Sequence, residues 1–148
     1  DGVENLNAEV LTALEENGLD ADGLEDVLRT VEDFKQSELW KRIEQAEVVK
    51  TEVPISLTTC SGEVRQSFGI AGDGQVIVSG VIDLLFKEAD GWVIIDFKTD
   101  AMSNREDFIR EYGFQVRTYC EMVEQILGET VKEGSLYSTY NKEVIRVR

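Results

Sequence analysis

An α/β sandwich, with a central mixed β-sheet flanked by helices, is the architecture this sequence predicts, and three observations predict it. Apolar residues recur at helical spacing through the first third of the chain, and three β-branched runs follow. One long amphipathic stretch then separates those runs from two shorter ones at the end. With 148 residues and 42% hydrophobic content, the chain has the material for one domain with a sizeable core. That domain is expected to cover residues 1–148, with a helical part over 1–46 and a sheet core over 47–148 that holds a long helix at about 104–127.

Taken in order, Leu6, Val10, Leu11 and Leu14 keep helical spacing up to Gly18. Leu24, Val27, Leu28, Val31 and Phe34 resume it after Asp22, and Leu39, Trp40 and Ile43 follow Ser37, a residue type suited to a helix N-cap. From Glu47 the texture changes to VVKTEVPISLTT, whose Pro54 is the single proline and marks an edge position or a bulge. Second and third strands are expected over about Gln75–Phe86 and Trp92–Phe97, with GIAGDG as a turn before the second. Ser103-Asn104-Arg105-Glu106 has the form of a capping box. Phe108, Ile109, Tyr112, Val116, Tyr119, Cys120, Val123, Ile126 and Leu127 then line one helical face that ends at Gly128. Val131–Tyr140 and Glu143–Val147 read as two closing strands around Asn141-Lys142.

Composition excludes several function classes. No apolar run reaches the roughly 20 residues of a membrane span, and the first residue is Asp, so the expectation is an excised soluble piece of a longer protein. Cys60 and Cys120 are widely separated and resemble neither a disulfide framework nor a zinc or iron–sulfur ligand set, which makes a reducing cytoplasm the default compartment. The absence of histidine removes the commonest general base and any imidazole metal ligand. A net charge of −15 opposes non-specific binding to nucleic acid, because phosphate affinity comes largely from Lys and Arg.

Charges sit where a core strand wants Val and Ile: GVIDLLFKEADGWVIIDFKTD carries Asp83, Asp96 and Lys98. Asp90-Gly91 is a strong signal for a two-residue hairpin. A turn there sets Ala89 opposite Trp92, hence Asp83 opposite Lys98 and Leu85 opposite Asp96. Period-two alternation then puts all three charges on one face, with Asp83 and Asp96 as diagonal neighbours about 7–8 Å apart, and Val93, Ile95 and Phe97 on the other. Two carboxylates at that separation can converge on a hard divalent cation such as Mg2+, which would offset their repulsion and activate a water. The competing reading is a salt bridge between Asp83 and Lys98 at a sheet end, with Asp96 capping a nearby turn.

The ordered set Gly80-Val81-Ile82-Asp83, Ile95-Asp96-Phe97-Lys98-Thr99-Asp100, and Tyr112, Gln115 and Tyr119 on one helix resembles the nuclease domain of the RecB and AddA family. That family lies within the PD-(D/E)xK, restriction-endonuclease-like nucleases, whose pattern is GxxD, a hairpin, DxKT and QxxxY. The resemblance implies a restriction-endonuclease-like sandwich, with Asp83, Asp96 and the backbone carbonyl of Phe97 as ligands of Mg2+ or Mn2+ and Lys98 acting on the attacking water. It implies supporting or substrate-binding roles for Gln115, Tyr119, Glu52 in the E-x-P position, and Thr99; core packing is the plain alternative for Tyr119 and an exposed strand position for Glu52. The chain departs from the family at a metal-ligating histidine usually found on an upstream helix: either this piece begins after that helix, or another residue, for instance Glu9 or Glu15, replaces it. The four-cysteine iron–sulfur motif of AddB-type relatives is also missing.

The implied function is a metal-dependent DNA nuclease, an exonuclease, in the C-terminal region of a UvrD-type helicase-nuclease for double-strand break repair and recombination. Its partners would be DNA, helicase domains of the same polypeptide and a second helicase-nuclease subunit, with no membrane. The rival class is a catalytically degenerate nuclease fold that binds DNA or docks a protein.

Overall fold

The computed structural model describes residues 21–59, 62, 71–72, 74–101 and 104–148. The expected helix around Leu6–Leu14, the residues Glu9, Glu15, Cys60 and Ser103, and half of the GIAGDG turn lie outside these. Contacts divide the chain into two compact units, Asp1–Lys41 and Arg42–Arg148.

Helix α1, in the first unit, spans Ala21–Lys35, and the boundary between the units falls within the next helix, after Lys41. The short helix α2, Glu38–Glu44, begins at Ser37, whose Oγ accepts from Trp40 N at 3.1 Å, the bond expected of an N-cap. Trp40 packs edge-on against Phe34, with ring centroids 5.6 Å apart.

In the second unit, strands β1 (Val48–Thr59), β2 (Val76–Glu88), β3 (Gly91–Lys98), β4 (Val131–Ser138) and β5 (Glu143–Arg146) form one sheet in the order β1-β2-β3-β4-β5. All neighbours are antiparallel except β3 and β4, which are parallel and joined through helix α3, Arg105–Leu127. A parallel pair needs such a crossover, so the mixed sheet follows from the long helix between the third and fourth strands. β1 lies at the edge of the sheet, which is where Pro54 is tolerated.

The core lies between α3 and one face of the sheet: Ile55, Val78, Ile82, Leu85, Ile94, Val131, Leu136 and Ile145 meet Phe108, Val116, Tyr119, Cys120, Met122 and Val123. Ile82 and Leu85 both enter this cluster although an odd number of positions separates them, so the alternation of β2 slips by one residue around Asp83. Gly134 lets α3 approach β4, because a Cβ there would overlap Cys120 Sγ and lie 2.9 Å from Val116 Cγ1. Among the described residues no helix is long and apolar enough to cross a membrane.

Two local expectations are corrected. The helix cap is Asn104, whose Oδ1 accepts from Asp107 N at 2.8 Å, so Asp107 rather than Glu106 occupies the third helical position. The hairpin loop is Ala89-Asp90, with Glu88 opposite Gly91 and Leu84 opposite Ile95; β3 has slid by two residues from the arrangement that an Asp90-Gly91 turn would set. Packing decides this. Trp92 N donates to Thr130 O at 2.9 Å, and Gly91, at φ +148, has that same carbonyl 3.0 Å from where its Cβ would be. Glycine is therefore needed as the first paired residue rather than as the tip of the turn.

Candidate active site

A slip of two residues exchanges no faces, because side chains alternate with period two. Asp96 and Lys98 therefore stay on the α3 side with Ile94. Carrying the register onward brings Asp83 opposite Asp96 instead of Lys98, but regular pairing stops at Leu84↔Ile95. Beyond that step the Asp83 carboxylate takes the place of a backbone acceptor: its Oδ2 accepts from Phe97 N at 2.8 Å. Asp83 is thus tied to the residue between Asp96 and Lys98.

Asp96 is only 3% exposed. Lys98 Nζ lies 2.6 Å from its Oδ2, yet the approach lacks hydrogen-bond alignment, and this buried oxygen has no hydrogen-bond partner. Burial raises the pKa of Asp96; the nearby lysine pulls it down, and the negative charge of Asp83 adds to the rise. Since the net direction is upward, one lysine does not compensate the buried carboxylate. Lys98 is held from two further directions, with Nζ donating to Gln115 Oε1 at 3.2 Å and lying 4.8 Å from the centroid of the Tyr112 ring. Gln115 in turn donates through Nε2 to Tyr119 Oη at 3.1 Å. Spacing of three and four residues puts Tyr112, Gln115 and Tyr119 on one face of α3, turned toward the strand end.

The remaining expected residues fall as follows. Phe97 stacks edge-on against Tyr137 at 5.6 Å. Tyr119 is buried in the core cluster as well as bonded to Gln115. Glu52 is exposed and adopts φ +51; pairing runs from Thr51↔Leu84 to Val53↔Ile82, so it stands beside Asp83 at a step where the β1–β2 ladder is interrupted. Thr99 is exposed just past β3, and the carbonyl of Lys98 accepts from Thr139 N at 3.0 Å and Thr139 Oγ1 at 3.3 Å. Sequence patterns give no sign of this contribution from Thr139, which is 41 positions from Lys98 in the chain and reaches it through the β3–β4 ladder.

Among the described residues no group of three or more Asp, Glu, His or Cys side chains is arranged to hold a metal. A pair of carboxylates, one with a buried oxygen that accepts no aligned hydrogen bond, nonetheless suits a small hard cation. Mg2+ is commonly bound by one or two carboxylates and completes its shell with water and substrate phosphate. The residues present therefore fit such an ion.

The family model of the PD-(D/E)XK nuclease superfamily matches residues 3–146 of this chain. Three similar curated proteins each bear the name of an ATP-dependent helicase/nuclease component. The one from Desulforamulus reducens is 36% identical over 77% of this chain and 9% of its own length. That from Clostridium novyi is 28% identical over 99% of this chain and 12% of its own. That from Clostridium perfringens strain ATCC 13124 is 37% identical over 66% of this chain and 8% of its own. The chain thus spans about a tenth of the length of these relatives.

Proposed function

Given that the chain belongs to the PD-(D/E)XK nuclease superfamily, we propose that it is a Mg2+- or Mn2+-dependent DNA nuclease domain, an exonuclease, within a larger cytoplasmic helicase-nuclease of double-strand break repair and recombination. The observation that carries the reading is Asp96: a buried carboxylate whose pKa burial raises in spite of the Lys98 ammonium 2.6 Å away, with Asp83 beside it. The names of the relatives support the helicase attachment. On this reading the partners are DNA, helicase domains of the same polypeptide and a second helicase-nuclease protein.

Asp83 and Asp96 would hold the cation, with the carbonyl of Phe97, the residue after Asp96, as a further oxygen donor. The bound ion would supply Lewis acidity toward a phosphodiester oxygen and a lowered pKa for a bound water. Lys98 presents its ammonium beside Asp96, where it orients the attacking water and offsets negative charge on the phosphate. Gln115 and Tyr119 support Lys98 from α3. Glu52 and Thr99 flank the site on β1 and past β3, in position to meet the bound strand.

A second reading, a nuclease fold that binds DNA or docks a protein without turnover, is favoured by one observation: no third acidic, His or Cys side chain joins Asp83 and Asp96 among the described residues. The two readings separate on incubating labelled single- and double-stranded DNA with the full-length parent protein in Mg2+ or Mn2+, beside its Asp96→Ala and Lys98→Ala variants. Cleavage lost in both variants supports the nuclease; cleavage undiminished in Asp96→Ala removes the site. Bound but uncleaved DNA supports the second reading.

A further inference from the structure

We infer that Tyr112, anchored by Asp100, and Gly80, which seats Tyr119, are positioning residues that hold the Lys98 ammonium from two sides. The geometry forms two arms. On one, the face of Tyr112 lies 4.8 Å from Lys98 Nζ, and the Tyr112 hydroxyl donates to Asp100 Oδ2 at 3.0 Å. The Asp100 carboxylate, partial burial and Glu111 together push the Tyr112 phenol up to about 12, so it remains a neutral donor over the range in which proteins work. The pinned ring presents its π face to the amine, the face that attracts a cation. Asp100 lies two residues beyond Lys98, so the strand end that carries the lysine also carries the anchor of the ring above it.

On the other arm, Gln115 accepts from Lys98 and donates to Tyr119. Tyr119 lies against Gly80: a Cβ at that position would overlap the hydroxyl and lie 2.8 Å from Cε1. Gly80 is therefore glycine because Tyr119 occupies its side-chain space, and this contact joins the GxxD segment of β2 to the QxxxY segment of α3. A flexible lysine stem has many rotamers; ring, amide and carboxylate together select one of them.

The functional consequence rests on the nuclease reading, but the geometry can be read without it. Protein labelled with 13C at the lysine ε carbon gives one signal per lysine, and that of Lys98 is identified by its loss in Lys98→Met. In metal-free wild-type protein the Lys98 ε protons should lie upfield of the other lysines because of the Tyr112 ring current. Tyr112→Phe should keep most of the displacement, Tyr112→Leu should abolish it, Asp100→Ala should match Tyr112→Phe, and Gly80→Ala should reduce it. With DNA and Mg2+ or Mn2+, Tyr112→Leu should lower kcat about tenfold with little change in KM, and Tyr112→Phe should remain within about threefold of wild type. A Lys98 signal among the bulk lysines in wild type, or one unmoved by Tyr112→Leu, overturns the inference, as does an equal loss of kcat in the Phe and Leu variants. A wild-type protein that cleaves nothing yet shows the Tyr112-dependent shift overturns the nuclease reading and supports the positioning.

Discussion

The two ends of β3 each carry buried charge, and they handle it in opposite ways. Near Gly91, Arg42 bonds both Glu88, at 2.9 and 3.0 Å, and Glu133, at 2.8 and 3.3 Å. Ser135 Oγ donates to Glu133 at 2.9 Å, and Lys132 lies 2.6 Å from Glu88 and also pairs with Asp90. Burial pushes Glu133 upward, but its bonds to Arg42 and Ser135 outweigh it and hold the carboxyl below its ordinary value; for Glu88 the Arg42 bond leads and brings it to about 2. At the other end Asp96 is buried as well, yet there burial wins and the pKa rises. Burial alone therefore does not set the direction of the shift; the supply of partners decides it. The carboxylates around Arg42 find their partners within the chain, whereas on the proposed reading the pair Asp83–Asp96 would be completed by a cation.

The largest effect that would test this contrast is on catalysis. Asp96→Ala should reduce DNA cleavage in Mg2+ or Mn2+ by a hundredfold or more, roughly the loss expected when a metal ligand is removed. Arg42→Met should leave the metal requirement unchanged, because Arg42 belongs to the other end. Its effect falls on folding: Glu88 and Glu133 lose their shared guanidinium, and unfolding free energy should drop by about 2 kcal/mol, a value discounted because Arg42 is one-third exposed. A urea midpoint unchanged in Arg42→Met would show that the network is ornamental.

The acids of both clusters lie on strands legible from alternation and turn residues, but their wiring is not legible there. Asp83, Asp96 and Lys98 could be recognised as one group because a two-residue error in the hairpin preserves faces. The true register depends on Thr130 closing over Gly91, a contact across the α3 crossover that no local pattern encodes. Strict alternation likewise hid the one-residue slip near Asp83, where the carboxylate replaces a ladder bond. Arg42 and Glu133 are 91 positions apart, and nothing in the spacing of either announces the pair. Tyr112 and Gly80 were visible only as members of a motif; their contacts with Lys98 and Tyr119 needed the packing of α3 on the sheet.

A smaller effect sharpens the comparison through isosteric neutralisation. In metal-free buffer, Asp96→Asn removes a buried charge that lacks compensation, so stability should hold or rise by about 1 kcal/mol. Glu133→Gln removes a charge that is well bonded and should cost about 1–2 kcal/mol. Opposite signs in paired thermal or urea unfolding curves are the expected result, and matching signs would erase the distinction drawn between the ends. Added Mg2+ should raise the melting temperature of wild type and not that of Asp96→Asn, because a ligand that binds only the folded state stabilises it.

The smallest effect is in the acid limb of stability. Glu88 falls from an ordinary 4.5 to about 2 on folding, so its contribution is fully present above 4.5 and is lost as pH drops toward 2. Asp96 moves the other way. Its folded pKa lies above the ordinary 3.8, so the folded state gains relative stability once pH is low enough to protonate it and loses that gain as pH rises through the folded value. Glu88→Gln should therefore flatten the decline of stability between about pH 4.5 and 2, whereas Asp96→Asn acts only above 3.8, where it removes the falling slope that Asp96 contributes as pH rises through its folded value. Urea midpoints of the two variants, followed without divalent ions from about pH 2 upward through the folded value of Asp96, measure both slopes. Each variant changes one carboxyl, so a difference in sign reports the local supply of partners rather than the charge of the whole chain.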